Sequence, residues 1–82
     1  MEKQTNFEKI LSILDIEEGQ RFTLKNTETN RPLNDIVCRI TKEKGLQFLA
    51  GTETWIVCHE WLTALIIDKL EINSKFPVNG SL

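Results

Sequence analysis

The chain has 82 residues, 40% of them apolar, and a net charge of -2. That length and composition predict one globular domain with a thin stability margin, since a chain this short buries only roughly 60–65% of its unfolded surface. No apolar run reaches the roughly eighteen residues of a membrane helix. The N-terminus lacks a basic start and apolar middle, so no membrane association and a cytoplasmic location are expected.

Residues 1–5 read as a flexible polar lead. Thr5-Asn6-Phe7-Glu8 has capping-box spacing, and Phe7, Ile10, Leu11 and Leu14 then recur as one face of a helix, with Ile13 off that stripe. Glu17-Glu18-Gly19 is a turn. Gln20 to Lys25 alternates, with Phe22 and Leu24 on one face and Arg21, Thr23 and Lys25 on the other. Residues 26–34 read as a polar loop containing Arg31 and Pro32. Asp35 to Thr41 is a second strand, with Ile36, Cys38 and Ile40 inward and Val37, Arg39 and Thr41 outward. Lys42 to Gly45 is a hairpin connection, Leu46 to Leu49 a return strand with Leu46 and Phe48 inward, and 50–54 a further turn.

Trp55 to Ile72 is the densest apolar stretch. Trp55 to Val57 fits a short fourth strand, and a helix follows to about Asp68-Lys69. Leu70-Glu71-Ile72 alternates like a last short strand, and 74–82 are expected to fray although Phe76 and Val78 could dock. In the helix, Leu62, Leu65, Ile66 and Leu70 fall on one face. Trp61, Ala64 and Ile67 project elsewhere, an apolar surplus that predicts an interface with another protein or a second copy of the chain. The expected architecture is α+β, in two layers: a three- to four-stranded antiparallel sheet packed with an N-terminal and a C-terminal helix.

Chemistry is poorly represented. Cys38 and Cys58 have no close Cys or His partner of the kind that paired zinc motifs supply, and His59 points away from its neighbour Cys58 on a regular backbone. No phosphate-binding glycine motif occurs. The expectation is no enzyme, no cofactor and no metal. Lys and Arg are dispersed, so nucleic acid is the less favoured partner, and it would use a basic sheet face of Arg21, Lys25, Arg39 and Lys42.

Leu14-Asp15-Ile16-Glu17-Glu18-Gly19-Gln20-Arg21-Phe22, then Trp55, then Leu65-Ile66-Ile67-Asp68-Lys69-Leu70-Glu71-Ile72 is similar to the pattern of small accessory proteins of phages and prophages of Gram-positive bacteria. Those carry "L-G-(I/V)-E-x-G-(E/Q)-x-F" and, after a Trp, "L-L-x-G-K-x-x-I"; Asp15 and Asp68 stand here where the pattern has Gly. Phe76-Pro77-Val78-Asn79-Gly80 resembles a shortened form of their Pro-rich tail. The resemblance implies a phage accessory origin and no known chemistry; given that origin, the expected partner of a binding protein is a host protein, such as a defence component, whose surface it would occupy as an anti-CRISPR inhibitor would. It implies no catalytic residue.

Overall fold

A computed structural model describes residues 4–77. Helix α1 (Asn6–Leu14) is followed by strands β1 (Phe22–Asn26), β2 (Pro32–Thr41), β3 (Gly45–Ala50) and β4 (Thr54–Val57), helix α2 (His59–Ile66) and strand β5 (Leu70–Lys75). The strands form one antiparallel sheet in the order β4-β3-β2-β1-β5. The α+β class and the antiparallel sheet with two helices match the expectation. The sheet has five strands, where three or four were expected.

The extra strand arises at the end of the chain. Residues 74 and 75, expected to fray, belong to β5, which lies along β1 with Leu24 opposite Ile72 and Lys25 opposite Glu71. Phe76 N–H donates to Arg21 O at 2.9 Å, and Gln20 Nε2 donates to Phe76 O at 3.0 Å. The expected docking of Val78 lies outside the described residues. The loop expected over 26–34 is shorter, because β2 begins at Pro32, opposite Lys25. A strand's first residue is one of the few sheet positions proline tolerates. Residues 34–36 then bulge out between Leu33, opposite Leu24, and Val37, opposite Thr23.

Alternation places Phe22, Leu24, Cys38, Ile40 and Leu46 on one face, each at most 1% exposed. Ile16, Leu65 and Leu70 complete this core. The capping box starts α1: Glu8 N–H donates to Thr5 Oγ1 at 3.1 Å, and Thr5 N–H to Glu8 Oε1 at 2.8 Å. Phe7, Leu11 and Leu14 pack against the core, although no residue of α1 is itself buried. Below α2, Thr27 Oγ1 donates to the Asp68 and Lys69 carbonyls at 2.8 and 3.0 Å, joining the β1–β2 turn to the α2–β5 connection.

Asp15 and Asp68 have φ of 57° and 67°. Gly takes this left-handed conformation freely, and Asp is one of the few other residues that tolerates it. Asp15 caps α1 there, its N–H reaching the Leu11 and Ser12 carbonyls. Asp68→Gly should raise stability by about 0.5 kcal/mol, the relieved backbone strain less the larger unfolded-state entropy of Gly. Urea unfolding checks the sign. By contrast, Leu46→Ala at the centre of the sheet should cost about 3 kcal/mol in the same measurement.

Candidate functional site

The phase of α2 is set by its exit from β4. Cys58 N–H donates to Leu46 O at 2.8 Å, which extends the β3–β4 ladder into the helix N-cap. Cys58, Trp61, Leu62 and Leu65, at i, i+3, i+4 and i+7, then face the sheet. Trp61 packs on Phe48 with ring centroids 5.0 Å apart. The expected inner face is therefore rotated. Leu62, Leu65 and Leu70 do lie inward, but Ile66 is 55% exposed. The expected surface of Trp61, Ala64 and Ile67 is divided: Trp61 and Ala64 pack against the core, and Ile67 alone is open, at 53%. The helix also stops sooner than expected, with Ile67 as its C-cap.

The apolar surface that does emerge on the helical layer combines the two helices. Ile13, off the buried stripe of α1, is 80% exposed. A groove of about 70 Å³ runs between Ile10, Ile13 and Leu14 on one side and Leu65 and Ile66 on the other. It continues into a wider depression of about 240 Å³ where Asp68, Leu70, Glu71 and Ile72 join the lining. Ile13 leaves the buried stripe already in the sequence, but its pairing with Ile66 depends on how α1 and α2 sit on the sheet.

Among the described residues no helix covers the opposite face of the sheet. Here the structure brings two of the four expected basic residues together. Arg39 stacks over the Trp55 ring with its guanidinium carbon 4.0 Å from the centroid, and the Arg21 guanidinium lies at 5.3 Å. Arg39 Nε also donates to Gln47 Oε1 at 3.0 Å. Thr23, 3% exposed, shares a 2.7 Å hydroxyl hydrogen bond with Ser74 on the same face. Lys25 does not join this group; its Nζ pairs with Glu71 Oε1 at 2.9 Å. Lys42 sits in the β2–β3 turn, where its N–H donates to Glu18 Oε2 at 2.9 Å. A third, polar depression lies beside α1, where Lys75 Nζ donates to the Asp15 carbonyl at 2.8 Å and pairs with Oδ2 at 3.1 Å.

The candidate thiols lie near one another, and their environment holds Cys38 in its neutral form. Burial, and secondarily the neighbouring Cys58, pushes the Cys38 thiol up to about 12. A thiol held neutral at physiological pH is a poor nucleophile and metal ligand. The His59 ring rests against Gly45, where an added Cβ would come within 3.1 Å of Cε1. Among the described residues no group of three or more His, Cys, Asp or Glu side chains could hold a metal ion, and no helix is long and apolar enough to cross a membrane.

Comparison with protein-family models, with curated proteins and with solved structures finds no match to this chain.

Three outcomes follow from the thiol and glycine environments. At pH 8 a thiol reagent should modify Cys58 in the native protein and reach Cys38 only at the rate of unfolding, giving two separated phases. The folded-state pKa of Cys38 exceeds the unfolded value, so its contribution to stability is complete below about pH 9 and falls as pH rises toward 12, by up to about 1.4 kcal/mol per unit. A Cys38→Ala comparison in alkaline urea titrations should flatten that slope. Gly45 has φ of 79°, so Gly45→Ala should combine backbone strain with displacement of His59 and cost at least about 1 kcal/mol.

Proposed function

We propose that this chain is a non-enzymatic binding protein that occupies a surface of another protein. The observation that carries the reading is the groove between α1 and α2, flanked by Ile13 at 80% and Ile66 at 55% exposure. Large aliphatic side chains left open on both walls of one groove offer more to a docked side chain than to this chain's own core. Asp68 and Glu71 line the wider end. Glu71 already pairs with Lys25, so the fitting partner segment presents an apolar anchor with a basic residue beside it for Asp68. The resemblance to phage accessory proteins supports a host protein as that partner, acted on by steric occupation as an inhibitor acts.

A second reading rests on Trp55 with Arg21 and Arg39. A ring and two guanidiniums on an uncovered sheet face form the kind of platform on which nucleic-acid bases stack. The dispersed charge and the Lys25–Glu71 pair make it the weaker of the two.

Photo-crosslinking from position 13 in a lysate of the bacterial host should capture a discrete protein. Ile66→Glu should abolish that capture, while Arg39→Ala should leave it intact. Capture indifferent to Ile66→Glu rules the groove out. Retention of single-stranded DNA or RNA at low salt, lost in Arg39→Ala and weakened by added salt, would instead establish the second reading.

A further inference from the structure

The sheet ends in β4 on one side and β5 on the other, and the two edges differ in kind. β5 carries Glu71 and Lys75, and it skips a residue between Ile72 and Ser74 where it pairs with β1. Charges and bulges of this sort discourage strand addition. β4 reads Thr54-Trp55-Ile56-Val57, with no charge, no proline and no break in its register with β3.

The hydrogen-bonding direction of β4 follows from its last contact. Cys58 N–H donates to Leu46 O, so Leu46 and Cys58 are a hydrogen-bonded pair. In an antiparallel ladder such pairs alternate, so Phe48 with Ile56 and Ala50 with Thr54 are hydrogen-bonded too. The N–H and C=O groups of Trp55 and Val57 therefore point away from β3, off the edge of the sheet. Ile56 and Val57 are 42% and 41% exposed. α2 leaves β4 to pack over β3 and β5, and Ile56 and Val57 stay open at this edge.

We propose that β4 is a self-association edge, to which β4 of a second copy of this chain adds antiparallel about a two-fold axis at Ile56. The strand is its own complement in that register. Trp55 faces Val57 of the second copy, both from the open face of the sheet, and Ile56 faces Ile56 on the helical face. The outward backbone groups of Trp55 and Val57 meet in two hydrogen-bonded pairs, giving four hydrogen bonds. An axis one half-step away would set Trp55 against Ile56, which lie on opposite faces, so the pleat excludes it. The two five-stranded sheets become one. The α1–α2 groove stays open in this arrangement, so the contact stands or falls separately from the protein-binding reading.

Sedimentation velocity of the full chain over a concentration series tests it. The wild type should form a dimer. Ile56→Asp and Ile56→Lys each place like charges face to face on the axis and should weaken the dimer by about tenfold or more. An equimolar mixture of the two folded variants should reassociate, because Asp then faces Lys. Ile13→Glu should leave the dimer unchanged. Hydrogen exchange on the wild type needs no variant: the Trp55 and Val57 amides should be protected at high concentration and not on dilution. A chain monomeric at its highest soluble concentration, a dimer indifferent to both substitutions, or Trp55 and Val57 amides that exchange alike at every concentration would overturn the proposal. So would dimerisation lost in each variant and not restored in the mixture.

Discussion

The hydrogen bond from Cys58 N–H to Leu46 O ties helix α2 to the sheet. It carries the β3–β4 ladder directly into the N-cap of α2, with no linker in which the helix could choose its own rotation. Once the first residue of a helix is placed, every later side chain is placed in steps of about 100°. Trp61 and Leu65 are thereby committed to the sheet, and Ile66 and Ile67 to the surface. The aromatic contact between Trp61 and Phe48 then reinforces that phase. The groove facing α1 follows from the same constraint, because the residue next to the buried Leu65 must stand on the flank of the helix.

Periodicity made the elements legible and left their rotation and neighbours open. The capping box at Thr5, the alternation in Phe22–Leu24 and Ile36–Ile40, and the inward Leu46 and Phe48 are local signals, and each element appears where its pattern lies. The inner face of α2 could not be read the same way, because Trp61, Leu62, Ala64, Leu65, Ile66 and Ile67 offer two apolar stripes of similar strength. Only the strand before the helix decides between them. Strand β5 was half visible for a related reason. Asn73-Ser74-Lys75 has no apolar alternation, and it is held in the sheet by backbone pairing with β1 and by the Thr23–Ser74 hydroxyl contact. Pairing partners distant in sequence leave no trace in a hydropathy pattern.

The basic residues show the same division. Arg39 lies on the outward phase of β2 and Arg21 directly before β1, and alternation alone put them on one face. It could not tell that Trp55, two strands from Arg39, leans under both guanidiniums. The consequence is physical: a sheet face with no helix over it among the described residues still covers Thr23 and Gln47, leaving 3% and 6% exposed. The Ser74 hydroxyl meets Thr23, and Gln47 lies beside Arg39, whose long stem covers a neighbour while its charge stays wet. The Arg39–Gln47 hydrogen bond holds that cover in place across neighbouring strands.

A domain of this size has little stability to spare, so where its apolar residues are left outside is informative. Ile13 and Ile66 contribute little to the core at their exposures, and replacing either with a polar residue removes little buried area. Ile56 at the sheet edge, 42% exposed, also lies outside the buried core. Selection for folding alone therefore places weak demands on these three positions, whereas Phe22, Leu24 and Leu46, fully buried, are held by packing. Polar substitutions at the exposed isoleucines should thus change association without unfolding the chain. That separation is what allows a surface role to be distinguished from a structural one in a protein whose margin would otherwise confound the two.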